Sequence, residues 1–91
     1  MATNFQIYPY KTRDSLHLRL AGDFDGNSAH ELINTLENNN KGYYQIFVDT
    51  SDLKTVYPFG KAVLEKKLGS KNKQFKNLIF IGENVHELSM N

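Results

Sequence analysis

Residues 46–64, IFVDTSDLKTVYPFGKAVL, constrain the fold of this chain more than any other stretch. An apolar, β-branched and aromatic run (Ile46, Phe47, Val48) reads as a buried strand with Asp49 at its end. A short polar turn follows, and then an apolar-striped helix. A strand handed on to such a helix is the building unit of an α/β sheet. Ligand and partner sites in open α/β sheets sit in the loops just past the strand ends. Residues 49–59 are therefore the first place to look for function.

The flanking sequence extends this unit in both directions. Phe5 and Ile7 alternate with Gln6 and Tyr8, which predicts a strand over 5–10. Pro9, lacking an N–H, suits a sheet edge or a strand end. After a polar turn at 11–14, Leu16, Leu18 and Leu20 alternate with His17, Arg19 and Ala21. That is a half-buried strand, and its short link predicts an antiparallel hairpin with the first. Residues 22–27, GDFDGN, read as a loop. Ser28 followed by Glu31 makes a capping box for a helix carrying Ala29, Leu32, Ile33 and Leu36 on one face. Residues 43–48 form the central strand. A second helix is expected over 59–68, with Pro58 in its first turn, Phe59, Ala62, Val63 and Leu64 turned inward, and Gly69 as its stop. Leu78, Ile79, Phe80 and Ile81 predict a short buried strand. Asn84 and Glu87 would cap a last helix with Val85 and Leu88. The fold class is α/β: a small mixed β-sheet with helices mainly on one face, in the order β-β-α-β-α-β-α.

This pattern resembles the STAS domain, the fold of anti-sigma-factor antagonists and of sulphate-transporter tails. There an apolar strand is followed by Asp-Leu-Ser, a few residues, and Asp-Ser-Ser-Gly-Leu opening a helix. Asp49, Ser51, Leu53, Val56, Gly60, Val63 and Leu64 fall on that pattern. Leu20, Gly22, Phe24 and Asp25 match the family's Leu-x-Gly-x-Leu-Asp. The resemblance spans about residues 16–88, and the chain reads as one STAS-like domain over 1–91. The family's regulatory serine directly precedes the glycine. Here that position is Phe59, so no phosphorylatable group stands there.

Composition narrows the function classes. With no cysteine in 91 residues, disulfides, thiol catalysis and thiolate metal sites are excluded. His17, His30 and His86 show no zinc-ligand spacing. No nucleophile motif, phosphate-binding glycine loop or internal repeat is present. No run reaches the ~20 apolar residues of a membrane helix, and no signal-peptide core is seen at the start. A cytoplasmic protein without a membrane role is the expectation. Eleven Lys plus Arg against ten Asp plus Glu give no overall argument for nucleic acid. Six lysines and one glutamate between 61 and 76 do concentrate a local charge of +5, leaving −4 for the remainder. Without arginine in that run, base-specific readout is not expected. The acids Asp23, Asp25, Asp49 and Asp52 suggest a magnesium or phospho-acceptor site, or simply turn hydrogen bonds. GDFDGN does not fit a calcium loop, because its glycine comes too early and Asn34 stands where a glutamate is needed. The hydroxyls Ser28, Thr50, Ser51 and Thr55, and Tyr57 beside them, are candidate modification sites, and Tyr57 and Phe59 flanking Pro58 are a candidate apolar anchor for a partner, with core packing the alternative for Phe59.

The resemblance implies a non-catalytic protein-interaction module in bacterial regulation, with no cofactor and no metal. By the family's logic the partner surface is Asp25, Gly26, Asn27, Ser51, Tyr57, Pro58 and Lys61, and the partner is an anti-sigma kinase-like protein. Lacking the serine, this chain would bind constitutively or be regulated by partner level. The alternative is a small-ligand or lipid-binding STAS-like protein. Behind these come an enzyme using the aspartates and a salt-sensitive nucleic-acid binder. A homodimer through the edge of the first strand stays open.

Overall fold

A computed structural model describes residues 4–39, 42–70 and 77–82. The elements are β1 (Gln6–Lys11), β2 (Ser15–Phe24), α1 (Gly26–Asn39), β3 (Gln45–Val56), α2 (Pro58–Ser70) and β4 (Leu78–Ile81). The strands make one mixed sheet in the order β1-β2-β3-β4. The pair β1–β2 is an antiparallel hairpin, with Ile7 opposite Leu20 and Pro9 opposite Leu18. Its turn is closed by the Thr12 N–H donating to the Ser15 carbonyl at 2.8 Å and by the Ser15 N–H donating to Thr12 Oγ1 at 3.0 Å. Both β2–β3 and β3–β4 are parallel. Two crossovers stepping the same way along a sheet, each right-handed, put their helices on one face. The burial pattern agrees. Leu16, Leu18, Leu20 and Phe24 of β2 and Ile46 and Val48 of β3 are buried, while their alternate neighbours are half-buried or exposed. The mixed α/β sheet expected from the sequence is the fold observed.

The core lies between this face and the helices. α1 contributes Ala29, Leu32, Ile33 and Leu36, the stripe its spacing predicted. α2 contributes Leu64 and Leu68. The open face of the sheet carries a row of rings instead. His17 stacks on Phe47 with centroids 4.7 Å apart, Tyr10 meets His17 edge-on at 6.2 Å, and Arg19 lies 5.1 Å over the Tyr8 ring while pairing with Asp52 at 3.3 Å. These cross-strand neighbours satisfy one another on a face that none of the described helices covers.

Several expectations are corrected. The loop expected at 22–27 shrinks to Asp25: β2 continues to Phe24 and α1 starts at Gly26, with Gly22 taking φ of 94° at an irregularity in the β2–β3 register. The central strand expected over 43–48 runs to Val56, so Asp49 lies inside it and the expected loop at 49–59 shrinks to Tyr57. Pairing with β2 down to Phe24 opposite Val56 holds this polar stretch extended. Its buried residues are Thr50 and Leu53, of which one alone is apolar, which is why its apolar pattern is weak. Ser28 is not the helix cap, as shown below. Gly69 does not stop α2, which runs to Ser70. Phe59 and Ala62 do not face the core; both are exposed. The buried stripe of α2 is Gly60, Leu64 and Leu68, spaced by four. β4 is half-buried along its length rather than fully covered. The helix expected at Asn84, together with His86, Lys71, Lys73 and Lys76, lies outside the described residues.

Candidate functional site

The two helices start beside each other. Asp25 is the N-cap of α1: its carbonyl accepts the first helical bond from Ala29 N–H at 3.0 Å, and its Oδ1 accepts from the Ser28 N–H at 2.9 Å. Ser28, expected to be the cap, is instead the third residue of the helix and is buried. Its hydroxyl sits 2.9 Å from the Asp23 carbonyl oxygen and 3.0 Å from Asp25 Oδ1, sharing its proton between them. The Ser28 N–H, and after it the Ser28 hydroxyl, hold the Asp25 carboxyl below the usual carboxylate range, against an opposing push from partial burial. This carboxylate is therefore engaged in capping, not poised for proton transfer.

Tyr57 is the cap residue of α2. Its carbonyl accepts from Lys61 N–H at 3.1 Å, and its own N–H donates to the Phe24 carbonyl at 2.9 Å. Pro58 then takes the first helical position, where its fixed φ fits and its missing N–H has no helical partner to lose. Gly60 brings the two helix starts into contact. A Cβ there would stand 2.7 Å from the Phe24 carbonyl oxygen and 2.8 Å from the Asp25 carbonyl. Gly26 does the same for a ring. A Cβ on it would come within 2.7 Å of Phe59 Cε2, so the Phe59 ring rests against bare backbone.

The outcome is an open groove of about 300 Å3 lined by Asp25, Gly26, Asn27, His30 and Phe59. Phe59 is 71% exposed and Tyr57 46%, an unusual density of accessible aromatic surface around one helix start. Of the residues expected to form the partner surface, Asp25, Gly26, Asn27, Tyr57 and Pro58 come together here. Lys61 stands half-buried one turn into α2. Ser51 does not join them: it lies roughly 15 Å back along β3 from Val56. Its N–H donates to Asp49 Oδ1 at 2.9 Å, and the pair packs against Gly82 past the end of β4. His30 is the lining residue that sequence reasoning missed, while the sequence leaves Phe59 open between core packing and an anchor for a partner. The signal for Phe59 was present: a buried Gly60-Leu64-Leu68 stripe leaves the neighbouring position about 100° away from the core.

The other candidates separate in space. Asp52 pairs with Arg19, Asp49 serves Ser51, and Asp25 caps α1. Among the described residues no three His, Asp or Glu side chains converge as metal ligands. Ser28 and Thr50 are buried, with Thr50 Oγ1 donating to the Ile81 carbonyl at 2.9 Å, whereas Ser51, Thr55 and Tyr57 are exposed. No helix among the described residues is long and apolar enough to cross a membrane.

Among solved structures, the anti-sigma factor antagonist SpoIIAA in its unphosphorylated form matches with a TM-score of 0.61 over 93% of this chain and 80% of its own, at 13% identity. The fold is SpoIIAA-like. A DUF3478-family protein from Shewanella loihica PV-4, itself described as having a SpoIIAA-like fold, matches at TM-score 0.59 and 24% identity over 91% of this chain and 72% of its own. The structure of Mglu matches at TM-score 0.71 and 10% identity over 84% of this chain, which spans only 19% of Mglu. At these identities the likeness is one of fold. No protein-family model matches the sequence, and no curated protein does. The STAS-like architecture read from the sequence thus stands on the SpoIIAA-like structures.

Proposed function

We propose that this STAS-like chain is a non-catalytic protein-interaction module of a regulatory system, docking its partner through the joined starts of α1 and α2. The observation that carries this reading is Phe59, a large apolar side chain 71% exposed where the two helices meet. Exposed aromatics surrounded by polar residues concentrate binding energy. Here Asn27, His30 and Lys61 supply the polar rim. The carboxylate at the site is a helix cap and its serine is buried behind it, so neither stands free as a base or nucleophile.

SpoIIAA is an anti-sigma factor antagonist. By analogy of fold, the partner of this chain is a regulatory protein of the anti-sigma kinase kind, met in the cytoplasm. Phe59 carries no hydroxyl, so docking here is not switched by phosphorylation at that position. The small-ligand alternative requires an enclosed cavity, and the groove at this site is open.

The test is capture from native extract on immobilised wild type, with Tyr57→Asp, Phe59→Asp and Lys61→Glu in parallel and Tyr10→Asp as a control on the opposite face. The reading predicts one protein retained by wild type and the control and lost from the Phe59 variant. Retention of the same proteins by every variant would rule this surface out.

A further inference from the structure

We infer that the Phe59 face also binds a second copy of this chain, so that self-association masks the docking surface. The inference rests on the docking reading of that face and adds a partner and a mode of regulation to it. Its basis is charge as well as exposure. Glu37 and Lys67 are already engaged within the chain; beside them α1 presents Glu31 and no Lys or Arg, for −1, and α2 presents Lys61 and Lys66 against Glu65, for +1. The helices follow parallel strands and return over the same face, so they run in the same direction with their starts side by side. A two-fold axis parallel to them, with the helix layers face to face, sets α1 of one copy over α2 of the other, twice. Such an isologous contact needs a self-complementary surface, and an acidic helix beside a basic one is such a surface.

Phe59 lies on the seam between the helices, against Gly26, and therefore close to that axis. Each ring would meet its counterpart at the centre of the contact, where desolvated aromatics contribute most. Counting from the joined helix starts, the exposed Lys66 stands about three residues, or roughly 4.5 Å, further along α2 than Glu31 does along α1, within the reach of the two long side chains. Glu31 of one copy thus faces Lys66 of the other.

The competing route, through the edge of β1, is poorer. Pro9 sits mid-strand opposite Leu18 and has no N–H to offer an incoming strand, and Lys11 ends the element.

The experiment is sedimentation equilibrium of the full chain from micromolar to sub-millimolar concentration. Wild type is expected to form a salt-weakened dimer. Phe59→Ala should weaken it about 30-fold or more. Lys66→Glu and Glu31→Lys should each weaken it about tenfold, since each pair occurs twice, and together they should restore it to within about threefold. Tyr10→Asp, on the opposite face, should leave it unchanged. Circular dichroism confirms that the variants remain folded. A wild type that stays monomeric throughout, or a dimer indifferent to Phe59 and Lys66, overturns the inference. Neither result bears on the heterologous docking reading, which the capture experiment decides separately.

Discussion

Gly60→Ala separates close approach from helix propensity. In an ordinary helical position the added methyl stabilises by up to about 1 kcal/mol, because alanine gives up less backbone freedom than glycine. At position 60 the new Cβ would lie 2.7–2.8 Å from the Phe24 carbonyl oxygen and the Asp25 carbonyl. These are backbone atoms at the cap of α1, so neither can swing aside as a flexible side chain would. Relief requires α2 to move outward or the Asp25 cap to open. Overpacking costs about 1–3 kcal/mol, and against backbone atoms the upper part, about 2–3 kcal/mol, applies, which outweighs the propensity gain and leaves a net loss of about 1–2 kcal/mol. Gly69 provides the internal control, because it is also in α2 and a Cβ there meets nothing within 4 Å. Gly69→Ala should stabilise by about 0.5–1 kcal/mol. Urea titration followed by circular dichroism reads both. With a slope near 1 kcal/mol/M, the Gly60 variant should lose about 1–2 M in midpoint while the Gly69 variant gains about 0.5–1 M. In thermal melts the Gly60 variant should fall by about 6–12 °C. If Gly60→Ala matches or exceeds wild type while Gly69→Ala behaves as expected, the two helix starts do not abut as described.

Asp25→Ala should cost about 1 kcal/mol through loss of the α1 cap, and Asp25→Asn much less, compared by denaturant midpoint at neutral pH. The folded pKa of Asp25 is lowered, so its contribution is fully present above the unfolded carboxylate value near 3.9 and fades as pH falls through the folded value; the Asn variant should lack that component in an acid titration. Thr50→Val removes the buried hydroxyl that donates to Ile81 and should cost about 1–2 kcal/mol, with faster amide exchange in β4 before the rest of the sheet. Phe59→Asp, at a side chain mostly in solvent, should change stability by no more than about 0.5 kcal/mol; a larger loss in the melt would mean the ring serves the core rather than a partner.

The parts of the fold written as clean periodicity were legible in the sequence. Leu16, Leu18 and Leu20 alternate, and Ala29, Leu32, Ile33 and Leu36 repeat at helical spacing; all seven are buried where expected. What the sequence concealed depends on partners distant along the chain. Residues 50–56 read as a polar loop because their own pattern is weak, yet parallel pairing with β2 holds them extended. Ser28 and Glu31 fit a capping box, but Asp25 three residues earlier is the better-placed acceptor and claims both Ser28 donors. Hydrophobicity alone leaves Phe59 equally readable as core or as an exposed anchor for a partner. Its exposure follows from Gly60, whose missing Cβ lets α2 sit against the Phe24 and Asp25 carbonyls with position 59 turned outward. The candidate surface was largely legible as a set of residues, through the family resemblance. Its centre at Phe59 and the separation of Ser51 were not, because both depend on how far β3 runs before α2 begins.

The central claim is that the joined helix starts form the docking face. The most direct test is photo-crosslinking in native extract with p-benzoylphenylalanine at position 59, and at position 10 on the opposite face as the comparison. The account predicts a discrete crosslinked protein from position 59, either a regulatory partner or a second copy of the chain, and none from position 10. Crosslinks from position 10 alone, or the same products from both positions, would contradict it.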